Sequence, residues 1–144
     1  MQLSTKGRYA VMAMTDLALR AGEKAVSVAE IAARQQISQA YLEQLFARLK
    51  RRGLVTAQRG PGGGYRLARS AAETTVADVV TAVDEPLRAT RCVGGAVGCM
   101  RDGARCLTHD LWDETGRRIQ AYLASVSLAD VLNGRLGREE ARAA

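Results

Sequence analysis

The chain has 144 residues, of which 47% are hydrophobic, and its 21 Lys and Arg against 15 Asp and Glu give a formal net charge of +6. This length suits one domain with a buried core, and the composition excludes a disordered tail. The first residues lack an apolar signal-peptide region, and no run approaches the roughly 18 apolar residues that a membrane span needs. We therefore expect a cytoplasmic protein with no membrane partner.

The positive charge is concentrated in the amino-terminal half. Residues 1–70 carry 12 Lys and Arg against 4 Asp and Glu, a net of +8, whereas residues 71–144 carry 9 against 11, a net of −2. This asymmetry is typical of a nucleic-acid-binding module joined to a part that does not touch phosphates. The alternative is a basic surface that is only solvated.

Apolar periodicity predicts a first helix over residues 6–20, which places Tyr9, Ala13 and Leu17 on one face and ends at Gly22. The next two predicted helices are separated by a tight connection, which is typical of a helix-turn-helix. The first covers 28–35, with Ser27 and Glu30 in capping-box spacing, and the second covers 39–52, capped by Ser38 and stopped by Gly53.

After Gly53 the pattern changes from helical to alternating. The runs LVTAQ (54–58) and YRLA (65–68) predict two strands, and the intervening RGPGGG predicts the tip of a hairpin. A helix-turn-helix followed by a hairpin is a winged helix. The expected fold is therefore mainly α, with a small β-hairpin wing.

Three further helices are predicted in the carboxy-terminal half. One covers 76–83, with Thr75 and Asp78 at its start, and a short one covers 128–133 after Ser127. Between them lies a long helix with more apolar surface than a small winged domain can cover, which predicts contact with a second subunit. The positions on that face are Leu111, Thr115, Ile119, Tyr122 and Val126.

The outward face of the second helix of the pair combines phosphate-neutralising and base-reading side chains. Glu43 is the most informative, because a carboxylate near DNA is costly unless it finds a donor, so it would discriminate between sequences rather than add affinity. The alternative is a solvated charge, or one related by i, i+4 spacing to Ala47. The predicted contacts are Ser38, Gln39, Tyr41, Glu43, Gln44, Arg48 and Arg51, and Lys50 and Arg52 lie on the same face.

The hairpin tip is the second predicted DNA contact. Arg59 precedes the turn formed by Gly60, Pro61 and Gly62, and an arginine on a slim hairpin can enter a narrow minor groove. The alternatives are a plain turn or a phosphate-cradling loop, and the latter lacks the Gly-Lys-Ser/Thr ending. Lys6, at the start of the first helix, is a further candidate for a phosphate contact.

The stretch RCVGGAVGCMRDGARCLTHDLW holds all three cysteines and the only histidine. An odd cysteine count in a reducing compartment leaves metal ligation, redox sensing or inert burial. The intervals are six residues from Cys92 to Cys99, six to Cys106 and two to His109, so each long interval must fold back on itself, which glycines such as Gly103 permit. Thiolates with one imidazole suit zinc or an iron-sulfur centre, and the absence of a short Cys knuckle favours the larger cluster.

The segments STKGRYAVMAM, ISQAYLEQLFARLKRRGLV, RGPGGGYRLA, AVDEPLRATRC and CLTHDLW together resemble the cluster-sensing branch of the Rrf family of bacterial winged-helix transcription factors. The resemblance runs from Met1 to about Gly134. It implies a homodimer that binds a double-stranded DNA operator, with the long helix forming the dimer. It also implies a 2Fe-2S cluster, supplied by iron-sulfur assembly proteins, on Cys92, Cys99, Cys106 and His109.

The resemblance further implies that Glu43 distinguishes the operators preferred with and without the cluster, and that the genes controlled include those for cluster assembly. Sibling regulators sense nitric oxide, iron or redox state, and nitric-oxide sensors are expected to offer an Asp ligand where this chain has Arg8. The same ligands could instead hold a structural zinc, or carry a cluster for electron transfer. No motif places a Ser or a carboxylate pair beside His109, so an enzyme is not expected.

These expectations divide the chain into four parts. They are a winged helix-turn-helix domain over 1–84, a cluster-binding loop over 85–108, a dimerisation helix with a short terminal helix over 109–134, and a tail over 135–144.

Overall fold

The computed structural model describes residues 4–22, 24–83 and 98–137. Within those ranges the chain forms six helices and one two-stranded antiparallel sheet. In chain order they are α1 (Thr5–Leu19), α2 (Val28–Gln35), α3 (Gln39–Arg51), β1 (Val55–Gln58), β2 (Gly64–Leu67), α4 (Val76–Val83), α5 (His109–Ser125) and α6 (Leu128–Leu132).

Side-chain caps begin α2 and α4 as the sequence predicts. At α2 the Ser27 hydroxyl accepts the Glu30 amide while the Glu30 carboxylate accepts the Ser27 amide, which completes the capping box. At α4 the Thr75 hydroxyl accepts the Asp78 amide and the Asp78 carboxylate accepts the Thr75 amide. Each cap of this kind stabilises a helix by about 1 kcal/mol. The predicted bounds of α2 and α4 are confirmed.

The connection between α2 and α3 is short because one residue reverses the chain. Gln36 adopts a left-handed conformation with φ of 55°, and the Ile37 amide then donates to the Ala32 carbonyl. Ile37 is buried, and the Ser38 hydroxyl accepts the Tyr41 amide at the start of α3. The predicted helix-turn-helix is confirmed.

One hydrophobic core joins α1, α2, α3, α4 and α6. Removing each large side chain in it from water contributes about 1.5–3 kcal/mol. The largest fully buried side chains of this core include Met14, Leu17, Ile31, Leu42, Leu45, Phe46, Leu49, Val79, Val83 and Leu128.

The wing is anchored to this core at its base. β1 and β2 pair in antiparallel register from Val55 opposite Leu67 to Gln58 opposite Gly64. Tyr65 also bridges to Val26, and its ring lies 4.8 Å from that of Phe46. Gly64 is required here, because a Cβ at this position would collide with the backbone of Val26.

The carboxy-terminal helices return to the same body. The Val76 amide donates to the Val126 carbonyl (2.8 Å), and the Leu128 amide donates to the Thr74 carbonyl (2.9 Å). Val76, Val80 and Val126 form a second small apolar cluster where α4 meets the end of α5. The core of the winged helix therefore includes α6.

The long helix begins at His109, and Cys106 lies in the loop before it. One detail of this helix differs from the sequence prediction. Val126 was expected on the outward apolar face, but it is buried against α4, because the chain leaves the helix at Ser125 and turns back to form α6.

Cys92, one of the four predicted ligands, lies outside the described residues. Within the described ranges, no helix has both the length and the apolarity that a bilayer crossing requires.

Candidate nucleic-acid interface and metal centre

Helix α3, the second helix of the helix-turn-helix, buries one side and exposes the other. Leu42, Leu45, Phe46 and Leu49 face the core. Five of the predicted contacts on this helix and at its cap are exposed, and two, Tyr41 and Arg48, are partly buried. The exposed ones are Ser38, Gln39, Glu43, Gln44 and Arg51.

Glu43 has a partner on its own helix. The Gln39 side-chain amide donates a hydrogen bond of 3.2 Å to the Glu43 carboxylate, one turn further along α3, and both residues are exposed. The alternatives to a base-reading role for Glu43 were a solvated charge or an i, i+4 relation to Ala47. The methyl group of Ala47 cannot donate a hydrogen bond. A carboxylate that already holds one donor is oriented before DNA arrives, which suits a residue that discriminates between base edges.

The two partly buried candidates make contacts within the protein. The Tyr41 ring packs edge-on against that of Tyr9, with centroids 6.0 Å apart. Arg48 Nη1 donates a hydrogen bond of 2.7 Å to the carbonyl oxygen of Val83, the last residue of α4. Sequence spacing could not reveal either contact, because the partners are 32 and 35 residues away.

The wing tip presents its predicted residues to solvent. Arg59, Gly60, Pro61 and Gly62 are all exposed, and the Gly63 amide donates to the Gly60 carbonyl to close the turn. Gly60 has φ of 94° and Gly62 has φ of 72°, a conformation that residues with a side chain adopt at a cost. Lys6, on the first turn of α1, is exposed as well.

An ion pair with a buried carboxylate fixes α1 against α2, the first helix of the helix-turn-helix. Asp16 is only 5% exposed. Arg34 donates to it through Nη2 (2.7 Å) and Nε (3.1 Å to one oxygen and 3.2 Å to the other), and the Gln35 amide donates at 2.7 Å. Burial alone would raise the pKa of Asp16, but the hydrogen bonds from Arg34 and Gln35 and the charges of Arg34 and Arg20 outweigh it and lower the pKa below its ordinary value. Sequence patterns could not indicate this network, whose members are 18 and 19 residues apart.

The cysteine segment folds back as its glycines predict. The Gly98 amide donates to the Gly103 carbonyl, and the Met100 amide donates to the Ala104 carbonyl. Gly103 has φ of 82°, and a Cβ at Gly98 would collide with the backbone of Ala104. The interval from Cys99 to Cys106 is therefore closed into a tight loop rather than extended.

This loop brings one predicted thiol to the predicted imidazole. Cys99 Sγ lies 3.6 Å from His109 Nδ1, and His109 is 4% exposed. The Cys106 amide donates to Cys99 Sγ (3.0 Å), while Cys106 Sγ lies 3.7 Å from the Thr108 hydroxyl. Among the described residues, the fold thus brings together two of the four predicted ligands, Cys99 and His109. A third, Cys106, lies beside them.

Part of the donor set fits a metal. Among residues 4–22, 24–83 and 98–137, no three or more His, Cys, Asp and Glu side chains are grouped as a metal site. The pair Cys99 and His109 fits, however: metal–sulfur and metal–nitrogen bonds of about 2.3 and about 2.1 Å at a tetrahedral angle separate sulfur from nitrogen by about 3.6 Å. An amide donating to the sulfur is also the kind of outer contact that tunes a metal-bound thiolate.

Comparison with known proteins assigns the family. Residues 3–134 match the Rrf2 family, described as an iron-dependent transcriptional regulator. The chain belongs to the Rrf2 family.

Curated relatives are similar in sequence to this Rrf2 chain over most of their length. It is 53% identical over 133 residues to the HTH-type transcriptional regulator IscR of Photorhabdus laumondii, covering 92% of this chain and 80% of that protein. It is 55% identical over 132 residues to a putative HTH-type transcriptional regulator, ORF2, of Azotobacter vinelandii, covering 92% and 79%.

Solved structures show the same fold. IscR of T. potens matches with a TM-score of 0.76 at 37% identity, covering 94% of this chain and 88% of that one. CymR, the global cysteine regulator of B. subtilis, matches with a TM-score of 0.76 at 31% identity, covering 91% and 95%. The winged-helix fold and the role in transcription regulation through DNA binding are therefore confirmed, and the family is not enzymatic.

Proposed function

We propose that this chain is a homodimeric regulator whose choice of operator is controlled by a 2Fe-2S cluster on Cys92, Cys99, Cys106 and His109. The observation that carries the proposal is the pairing of Cys99 Sγ with the buried His109 Nδ1 at 3.6 Å in an Rrf2 winged helix. A thiol and an imidazole held at the separation of two ligands of one ion are suited to a soft metal centre.

The cluster, when bound, would supply a cross-link between the loop and the start of α5. Before it binds, Cys99 and His109 are already placed by the Gly98–Gly103 turn and by the helix start. Filling the ligand set would tie Cys99 and Cys106 to the start of α5, so occupancy would be coupled to local folding. Iron-sulfur assembly proteins would donate the cluster, and the regulated genes would include those for cluster assembly.

DNA recognition is assigned to α3 and the wing. Glu43, with Gln39, would read base edges, and Gln44 and Arg51 would add contacts in the same groove. Arg59 and the Gly60–Gly62 tip would enter the adjacent minor groove, and Lys6 would neutralise a phosphate. The contacts predicted from the sequence for Ser38 and Tyr41 belong to this proposal, although the structure also gives both a packing or capping role.

A second subunit would cover the exposed apolar surface of α5. Leu111 is 58% exposed and Tyr122 is 52% exposed, and Trp112 and, just before the helix, Leu107 are also accessible. Large apolar side chains repeated along one solvent-facing helix mark an interaction surface. A symmetric dimer would present two recognition helices to the two halves of an operator.

The test is purification without oxygen, followed by metal and sulfide analysis and visible absorption. Iron and sulfide in equal amounts with a coloured protein support the proposal. A colourless protein with zinc supports the second candidate, a structural metal, which the same Cys99–His109 separation would fit. A coloured protein that responds first to nitric oxide or to iron supply would move the assignment to a sibling sensor.

A further inference from the structure

We infer that Arg48 is a positioning residue that links the recognition helix to the metal-binding segment, rather than a DNA contact. The inference rests on the proposed cluster control and names the residue through which that control reaches α3. It departs from the sequence prediction, which placed Arg48 among the residues that touch DNA.

The contact itself is strong for a solvent-accessible arginine. Arg48 Nη1 donates to the Val83 carbonyl at 2.7 Å, and Arg48 is partly buried, whereas Arg51, one turn further along α3, is exposed. Carbonyls in the last turn of a helix lack an intrahelical donor, and a cation there also meets the negative end of the helix dipole. A charged donor makes such a hydrogen bond shorter and stronger than a neutral one.

The direction of the side chain supports the same role. Arg48 follows Gln39 by nine residues, which places the two on roughly opposite sides of an α-helix. Gln39 and Glu43 share the exposed surface, while Arg48 turns towards α4. Arg48 therefore connects α3 to α4 and does not lie beside Gln39 and Glu43 on the exposed surface.

Val83 contacts the DNA-binding helix α3 and also lies close in sequence to the proposed metal ligand Cys92. Its side chain is 1% exposed and packs in the core that also contains Phe46 and Leu49 of α3. It is the last residue of α4, and Cys92 follows it by nine positions. Any change in the path of the chain after Val83 acts on a carbonyl that Arg48 holds, and so on the placement of α3.

The two roles of Arg48 have different signatures in binding. Loss of a phosphate contact weakens every duplex alike, in both metal states, and lowers the slope of log K against log salt by about one. Loss of a positioning contact changes the ratio of affinities between the metal-loaded and metal-free forms, since coupling is a difference between two states. The ratio is therefore the quantity to measure.

The experiment compares Arg48→Met, which keeps the aliphatic stem but has no donor, with Arg48→Lys, which keeps a charged donor. Arg51→Met is the matched control, because it removes the same charge from the exposed side of α3. Two duplexes selected from a random pool by the wild-type protein, one with the loaded form and one with the metal-free form, serve as probes. Thermal melting and visible absorption establish that each variant is folded and loaded.

For Arg48→Met we expect unchanged cluster content and a loaded-to-free affinity ratio reduced at least about fivefold towards one, the lower range of typical coupling. Arg48→Lys should restore part of the ratio, and Arg51→Met should leave it intact while weakening both states. A uniform loss with Arg48→Met, or an unchanged ratio, overturns the inference. Should Arg48→Met fail to fold, Arg48→Gln, whose side chain is shorter and uncharged, replaces it, and an unchanged ratio in that variant overturns the inference too.

The wild-type protein separates this inference from the proposal beneath it. A wild-type ratio of one on both duplexes means that the metal does not control DNA choice, and the proposed function fails. A wild-type ratio that differs from one and persists in Arg48→Met removes only the role given to Arg48.

Discussion

Cys99 Sγ lies 3.6 Å from His109 Nδ1, and among the 17 residues of α5, all of them described, His109 alone is buried. The other residues of the helix are partly or fully exposed, whereas the one imidazole at its start is shielded. Burying a polar ring stabilises a protein only when the ring has a partner, and here that partner is a thiol.

Replacing Cys99 by Ala should abolish metal binding while DNA binding to at least one operator class is retained. The thiol is one of the proposed ligands, whereas the core that supports α3 and the wing does not include Cys99. Iron analysis and absorption of anaerobically purified protein would measure the loss. Met100→Leu, which removes an exposed sulfur one residue away, is the control and should keep its metal. Full metal content in Cys99→Ala would remove Cys99 from the ligand set.

Glu43→Ala should broaden the range of duplexes bound, because the carboxylate penalises bases that offer it no donor. The expected loss of discrimination is about 1–3 kcal/mol at the affected base pair. Gln39→Ala should change the same base preference by less, since a side-chain pair of this spacing contributes about 0.2–0.5 kcal/mol. A double-mutant cycle on duplexes with single base changes measures the coupling, and independent effects of the two substitutions would show that Gln39 does not act through Glu43.

Arg59→Ala should weaken binding to every operator by about 1–3 kcal/mol if the side chain enters the minor groove. Arg69→Ala is suited as a control, because Arg69 lies beyond the wing and pairs with Asp78 at 3.6 Å. Fluorescence anisotropy at several salt concentrations would measure both. An effect confined to one operator would instead indicate that Arg59 reads bases directly.

Asp16→Asn should destabilise the protein by about 1–3 kcal/mol at pH 7, because it removes the charge that Arg34 and Gln35 satisfy. The pKa of Asp16 is lowered in the folded state, so its charge stabilises the fold fully above the unfolded-state pKa of about 3.9, and this contribution is lost as pH falls through the lower folded value. Urea unfolding at fixed protein concentration should show the wild type and Asp16→Asn converging as the pH is lowered through that window.

Two arginines provide the comparison for Asp16. Arg34→Gln should cost much of the same stability, whereas Arg20→Gln should cost less than about 0.5 kcal/mol, since Arg20 is half exposed and 3.7 Å from the carboxylate. Equal costs for the two would mean that the short contacts of Arg34 contribute nothing beyond long-range charge.

Leu111→Asp should convert the proposed dimer into a monomer, because it places a charge on the exposed apolar surface of α5. Operator affinity should then fall by about 100-fold or more, as two linked recognition helices become one. Leu19→Asp is the matched control, since Leu19 is a similarly exposed leucine on α1. Analytical ultracentrifugation measures the assembly, and a dimer that survives in Leu111→Asp would place the interface elsewhere.

Helix caps and other local features of this fold could be predicted from the sequence. Contacts between residues far apart in the chain could not. The caps at Ser27 and Thr75 lie within three residues of their partners, so the pattern alone locates the helix starts. The contacts of Asp16 with Arg34 and of Arg48 with Val83 join residues far apart in the chain, and only the packing of whole helices decides them. No local pattern indicates that Arg48 turns towards α4.

In the candidate metal site, too, local features could be predicted from the sequence and contacts between separated residues could not. The type of ligand and the need for the cysteine loop to fold back follow from residue chemistry and spacing. Spacing alone could not show that Cys99, ten positions before His109, meets the imidazole; this contact forms because the Gly98–Gly103 turn reverses the chain. Val126 was misplaced for a similar reason, since the turn after Ser125 redirects it into the interior.

The central claim is that occupancy of the centre containing Cys99 and His109 determines which DNA the protein binds. The most direct measurement is the affinity of one anaerobic preparation for two duplexes, taken before and after its metal is removed. We predict that removal weakens binding to one duplex while binding to the other persists. Equal affinities in both states for both duplexes would contradict the claim.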